Sequence, residues 1–308
     1  MLEKTRVFRW LVYASCGWAL AACGEAATPA SAAASDTSAA DTLAAADAAA
    51  DTLANAADSA GGQGAADVAV AALPTPAGLT LLGTAKSGAV QAQLFAAQPL
   101  FTGMNTVFYR LQDSQGVLME GQAVQQALMA MTPPHACPAI QSPPQADGDA
   151  LFEGLLIPQM PGDAQQPWTV QLAFTPLTGS QLKFEFADLP VVAQPLVKTV
   201  TGADGKSYVV ALRLAAKAKL GKNPLTIAVY RASADQLSYT AVTDATVKLT
   251  TLMVSMGHGS NGNVSPVHKK DGLYDGTVSF SMPGDWRISF GITLNGATVG
   301  TASFDLKI

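Results

Sequence analysis

The stretch Trp286-Arg287-Ile288-Ser289-Phe290-Gly291-Ile292 alternates large apolar residues with polar or small ones. A β-strand turns successive side chains to opposite faces, so a period of two reads as a strand with one face buried. The same texture recurs in Trp168-Thr169-Val170-Gln171-Leu172-Ala173-Phe174 and in Leu182-Lys183-Phe184-Glu185-Phe186. Thr106-Val107-Phe108-Tyr109 and Leu225-Thr226-Ile227-Ala228-Val229-Tyr230 are β-branched and aromatic runs of strand length. Gly, Pro, Asn and Asp separate the runs at short intervals, as in a sandwich. Only residues 211–220 fit a helix, and the alternation of Leu212 and Leu214 about Arg213 fits a strand end equally well. The expected fold class is all-β. Roughly 230 residues of this texture suit two tandem immunoglobulin-like β-sandwiches of ~100–120 residues each.

An internal repeat points to the same division. Leu151-Phe152-Glu153-Gly154 and Met160-Pro161-Gly162-Asp163 match Leu273-Tyr274-Asp275-Gly276 and Met282-Pro283-Gly284-Asp285 at a single offset of 122. At that offset Pro144 aligns with Pro266 and Met131 with Met253. Trp follows in both copies, Trp168 after a short insertion and Trp286 directly. Phe108-Tyr109-Arg110 aligns near Val229-Tyr230-Arg231, with a one-residue shift. Pro190 and Pro195 interrupt the pattern, so the expected modules are residues 76–194 and 195–308.

The first 75 residues have a different character. Lys4, Arg6 and Arg9 precede an uncharged apolar stretch, residues 10–22, which ends in Leu20-Ala21-Ala22-Cys23-Gly24. That stretch is shorter than the ~20 apolar residues a bilayer span needs and fits the apolar region of an export signal. The ending resembles the bacterial lipobox, which implies a signal peptide over residues 1–22, cleavage before Cys23 and a diacylglycerol on its thiol. More than one acyl chain makes such an anchor stable. Gly24 stands where Asp would resemble an inner-membrane retention signal, which points to the outer membrane, facing the periplasm or the cell surface. From residue 23 to 75 the chain is mostly Ala, Asp, Thr, Ser and Gly, and no Lys or Arg occurs between Arg9 and Lys86. So little bulk can be buried there that chain entropy wins, and the segment reads as a mobile tether.

The second copy carries Met253-Val254-Ser255-Met256-Gly257-His258-Gly259-Ser260, then Pro266-Val267-His268, then Gly272-Leu273-Tyr274-Asp275-Gly276 and Met282-Pro283-Gly284-Asp285-Trp286. This order resembles the YtkA-like domain, a small exported β-sandwich related in pattern to the FixH family, over residues 230–304. The first copy looks like a diverged relative. It keeps Met131, Met160 and Trp168 but has Pro134 in the place of Met256, with His135 and Cys137 near the position of His258. The resemblance implies an envelope protein, in some cases one near copper handling or oxidase assembly, and brings no enzymatic motif with it.

Thioether and imidazole are soft-to-borderline ligands suited to Cu(I). Met253, Met256 and His258 lie within six residues in a Gly-rich segment, and His268 could approach from across the loop. These four form the candidate copper site, and Met131, His135 and Cys137 a weaker second one. An odd separation puts Met253 and Met256 on opposite faces of a regular strand, so the segment must leave the strand between them. The competing reading makes Met253 a core residue at the end of the run over residues 247–252, and Gly257-His258-Gly259 a plain tight turn. Cys137 is the only thiol left free in the mature chain: an exposed thiol, a ligand, or half of an intermolecular disulfide.

Other chemistries lack their residues. There is no Gly-x-Ser-x-Gly, no phosphate loop after a strand and no His-Glu-x-x-His. A net charge of −5 without a basic cluster argues against nucleic acid. Asp147 with Asp149, and Asp271 near Asp275, could invite Ca²⁺ but read more simply as solvated turns. The expected function is a non-enzymatic, membrane-anchored envelope lipoprotein that binds or delivers copper. The alternative is a structural or interaction module that holds an envelope protein partner by its loops or strand edges.

Overall fold

The alternation that opens the sequence reading becomes the strand Asp285–Leu294, in which Trp286, Ile288, Phe290 and Ile292 are all fully buried. Its counterpart Trp168–Pro176 buries Trp168, Val170, Leu172 and Phe174 in the same rhythm. A computed structural model describes residues 73–131, 133–141 and 151–308. The expected signal peptide, Cys23, most of the tether, Pro144, Asp147 and Asp149 lie outside the described residues. Among the described residues every regular element is a β-strand, and no helix is long and apolar enough to cross a membrane.

The first module runs β1 Thr80–Ser87, β2 Val90–Ala96, β3 Asn105–Gln112, β4 Gly121–Met129, β5 His135–Cys137, β6 Ala139–Gln141, β7 Phe152–Leu156, β8 Trp168–Pro176 and β9 Leu182–Leu189. The second runs β10 Val197–Thr201, β11 Ser207–Leu214, β12 Gly221–Ala232, β13 Tyr239–Ala241, β14 Thr246–Met253, β15 Val264–Lys270, β16 Leu273–Phe280, β17 Asp285–Leu294 and β18 Ala297–Lys307. Residues 211–214 thus end a strand and form no helix. One sheet of the first module has the order β1-β2-β3-β7-β6 and faces the sheet β5-β4-β8-β9. The second module repeats this as β10-β11-β12-β16-β15, with β13 beside β12, facing β14-β17-β18. Two tandem sandwiches of one topology follow, each closing on its own apolar core. Trp168, Tyr109, Phe152 and Phe174 fill one, and Trp286, Tyr274, Phe280 and Phe304 fill the other. Each fully buried side chain of this size contributes about 1.5–3 kcal/mol over its exposed state.

The strand pairing corrects two alignments drawn from sequence. Asn105 pairs with Leu156 and Asn223 with Val278, so these two asparagines are equivalent. Each is buried, and each makes the same three hydrogen bonds back along its chain. The Oδ1 of Asn105 accepts from Phe101 N, and its Nδ2 donates to the carbonyls of Phe101 and Gly103. Asn223 does the same with Lys219 N and the carbonyls of Lys219 and Gly221. On this register Tyr109 corresponds to Ile227, and the likeness of Phe108-Tyr109-Arg110 to Val229-Tyr230-Arg231 is coincidental. Likewise Met129, and not Met131, is the counterpart of Met253. Met129 pairs with His135 and Trp168, as Met253 pairs with His258 and Trp286.

The modules also share a seam. Met104 and Ile157 of the first pack against Val209, Ala211, Ala228 and Tyr230 of the second, with Tyr239 and Leu273 alongside. This is why Tyr208-Val209-Val210-Ala211-Leu212 is buried on both faces. All the described residues fall within one compact unit. The chain enters the first sandwich across the buried Arg110, whose guanidinium donates to the carbonyls of Leu73 and Pro74 and lies over the Phe95 ring.

Candidate metal centre

In the second module the chain leaves β14 at Met253, turns tightly and comes back at His258. The Met253 carbonyl accepts from the N–H of Met256 (3.2 Å) and of Gly257 (2.9 Å), while Met253 N donates to the His258 carbonyl at 2.7 Å. Gly257 has φ +69°, a left-handed conformation that glycine adopts without steric cost. Met253 is therefore directly opposite His258 on one side and Trp286 on the other. Opposed residues of an antiparallel pair project from the same face, so the three side chains share the inner face. The imidazole meets the Trp286 indole edge-on, centroids 6.1 Å apart and planes at 79°.

The Met-Pro-Gly turn closes this corner. Trp286 Nε1 donates to the Met282 carbonyl at 3.0 Å, and the half-buried Met282 packs on the core. The Met253 methyl lies where a side chain on Gly284 would have to be, and Gly284 has φ +142°, a conformation that favours glycine. His258 Nδ1 is 3.0 Å from the Gly259 carbonyl. A carbonyl only accepts, so Nδ1 is the donor here, and in the neutral ring Nε2 is then the nitrogen that carries the lone pair.

The first module builds the same corner two residues away from where the sequence alignment sought it. Met129 is opposite His135 and Trp168, and the imidazole meets the indole at 6.5 Å and 71°. Trp168 Nε1 donates to the Met160 carbonyl at 3.1 Å, the counterpart of the Met282 contact. A side chain on Gly162 would come within 2.6 Å of Trp168 Cδ1, so this turn too needs glycine. Burial pushes the His135 imidazole below its ordinary range, and the Gln159 side chain works in the other direction.

Of the residues singled out from sequence, the structure brings Met253 and His258 together. Met256 stands at the tip of the turn, 60 % exposed, away from the inner face. His268 is not part of the corner. It is exposed on β15 opposite Tyr274, with ring centroids 5.2 Å apart, whereas Ser260, two residues after His258, bonds to the carbonyl of Ser279. Five strand residues separate Tyr274 from Ser279, roughly 17 Å, beyond the reach of one ion. In the first module His135 belongs to the corner, while Met131 sits half-buried two residues past β4. Cys137 is 3 % exposed, and burial pushes its thiol up to about 12. An enclosed thiol is not open to another chain, which removes the intermolecular disulfide. Met129, Met160 and Met282 were not singled out from sequence because each looks like core filler there. Met160 and Met282 share the offset of 122, whereas Met129 and Met253 differ by 124 and are matched by their pairing with Trp168 and Trp286.

Among the described residues no three His, Cys, Asp or Glu side chains gather into a cation cage, so Asp271 and Asp275 form no oxygen-rich site. The side chains that strand pairing places on one face at each corner are a Met, a His and a Trp.

Residues 202–291 match the YtkA-like family, the region that contains the second corner. A comparison with curated proteins finds no match. Three solved structures are distant likenesses. Domains 5-6 of the S-layer protein SbsC share 13 % identity over 67 % of this chain and 91 % of that one, with a TM-score of 0.25. The Escherichia coli adhesin FdeC shares 15 % identity over 74 % of this chain and 66 % of its own, with a TM-score of 0.23. A conserved domain protein from Bacillus anthracis shares 10 % identity over 74 % and 89 %, with a TM-score of 0.24. The fold assignment therefore rests on the strand pairing described above.

Proposed function

We propose, from the YtkA-like match of residues 202–291 and the corner it contains, that this chain is a non-enzymatic envelope lipoprotein whose second sandwich holds Cu(I). The ligands are Met253, His258 and Met282, beside the Trp286 indole. The observation that carries the reading is the direct opposition of Met253 to His258, with Nδ1 engaged and Nε2 free. Two thioethers and a neutral imidazole are uncharged and soft. They suit a monovalent soft cation and offer little to Ca²⁺ or Mg²⁺, which need oxygen donors. Cys23, through its lipid, holds the protein at the outer membrane, and the acidic tether carries the sandwiches away from the surface.

The test is Cu(I) retention by the full-length protein against bathocuproine disulfonate. The expected result is retained Cu(I), with the second-module ion lost in His258→Ala and no comparable retention of Ca²⁺ or Mg²⁺. A chain that retains no Cu(I) fails this reading.

The interaction-module reading keeps one specific observation in its favour. Val254 and Met256 on the turn and Val264 and Val267 on β15 are large apolar side chains, each more than half exposed. They offer an envelope protein an apolar rim beside the corner. Pro266, Lys269 and Lys270 on the same edge strand oppose simple strand addition, so a partner would use the side chains. Deleting the rim with Val254→Ser and Val267→Ser should release a bound envelope partner, read by crosslinking, without altering Cu(I) retention.

A further inference from the structure

We infer that the first module carries a second Cu(I) site, Met129, His135 and Met160 beside Trp168, and that the second module closes it, so that its ion exchanges slowly. This rests on the reading of the second corner given above and extends it to a site whose surroundings differ.

The two corners repeat each other point by point. Each corner has a Met opposed to a His on one side and a Trp on the other. In each, the imidazole meets the indole edge-on and the indole N–H donates to the Met carbonyl of the Met-Pro-Gly turn. The intervening sequence has changed, down to a different loop length between the Met and the His. Two of the three histidines of the whole chain nevertheless occupy this one position. A purely structural plug for the indole needs no imidazole, since an aliphatic side chain packs there without a polar atom to satisfy.

A second observation concerns that polar atom. Nε2 of His135 is buried and has no hydrogen-bond partner, and the same is true of Oε1 of Gln159. The Gln159 side chain is near enough to raise the imidazole's pKa through a hydrogen-bond contact, but neither Nε2 nor Oε1 has a partner of ordinary geometry. A buried, unsatisfied polar atom is costly, and a bound cation is one way to satisfy it. Cu(I) on an imidazole and two thioethers needs no change of oxidation state.

The third observation is the lid. In the second corner the His258 side chain bonds to its own turn in an exposed setting. In the first, β13 of the other module lies across β5. Tyr239 Oη donates to the Ala136 carbonyl at 3.0 Å and accepts from Gln159 Nε2 at 3.1 Å. Ala136 N donates to the Gln236 carbonyl at 3.3 Å, and Gln126 Nε2 to that of Leu237 at 3.4 Å. Ala136 and Gln159 directly adjoin His135 and Met160 in the chain, so an ion reaches this corner only when the seam loosens.

The test uses the full-length protein loaded with Cu(I) and challenged with bathocuproine disulfonate. The expected result is two ions per chain, one removed fast and one slowly. His258→Ala should abolish the fast phase and His135→Ala the slow one. Met160→Leu keeps the apolar bulk while deleting the thioether, and it should also lose the slow ion if His135→Ala disturbs folding. Tyr239→Phe removes both seam bonds of the hydroxyl and should speed the slow phase on the order of tenfold. A single ion, lost entirely in His258→Ala, overturns this inference and leaves the second corner standing. No retained ion overturns both. Two ions with equal rates, unmoved by Tyr239→Phe, overturn the closure.

Discussion

The two corners are built alike and housed differently. Met129 and Met253 are 4 % and 6 % exposed, and Trp168 and Trp286 are equally buried, so the local packing is the same. What differs is the neighbour. The second corner opens beside a short turn, whereas the first lies under β13 of the other sandwich. One module pattern thus gives two environments, and the difference comes from how the sandwiches join and not from the residues of the corner. Substitutions made in parallel in the two modules test how alike the corners are.

The largest expected effect is that of the tryptophans. Trp168→Ala and Trp286→Ala each leave a large cavity, and each should cost about 3–5 kcal/mol in urea denaturation. Equal losses support equivalent corners; a loss below about 1 kcal/mol in one of them breaks the equivalence. Next come the paired asparagines. Asn105→Ala and Asn223→Ala each delete three hydrogen bonds and strand backbone groups of the preceding turn. The expected cost is about 2–3 kcal/mol each, by the same measurement. A smaller effect belongs to the seam. Tyr239→Phe should cost about 1 kcal/mol, and hydrogen exchange should quicken at Ala136 while the amides of β17 stay protected.

The smallest effect is a pH dependence confined to the first corner. The folded state lowers the His135 pKa, chiefly by desolvation, so the unfolded chain binds that proton more readily. The contribution is therefore present above the unfolded value, about 6.5, and is lost as pH falls from there through the folded value. His135→Phe should flatten the fall in urea midpoint between about pH 7 and pH 5. An unchanged slope would show that His135 is not held neutral by burial.

Much of the fold was legible in sequence because strand alternation is a local property. Trp286, Ile288, Phe290 and Ile292 declare their buried face by period alone. The duplication was legible too, from the two ungapped blocks around Gly154 and Met160. The exact register was not, because short insertions change the offset between blocks: Met129 to Met253 differs by 124, Leu151 to Leu273 by 122 and Trp168 to Trp286 by 118. An ungapped comparison therefore chose Met131, two residues from the true counterpart. The seam left a trace in the unbroken apolar run Tyr208-Val209-Val210-Ala211-Leu212, which marks a strand covered on both sides. Its partner surface could not be read, since Met104 and Ile157 lie in loops without period. In the candidate site, clustering in sequence favoured Met256 and His268, whereas strand pairing joins residues distant in sequence, as it does Met253 and Trp286.

Anchoring stands apart from these comparisons. The lipobox reading expects incorporation of a palmitate analogue into the wild-type protein, and its loss in Cys23→Ser together with retention of the longer precursor. Labelling that persists in Cys23→Ser would place the lipid elsewhere.

The most direct test of the account is the copper X-ray absorption spectrum of the fully loaded protein, taken beside that of His135→Ala. The account predicts a Cu(I) edge with sulfur and imidazole nitrogen around the metal in both samples, and half the copper in the variant. A first shell of nitrogen and oxygen alone, without sulfur, would contradict it.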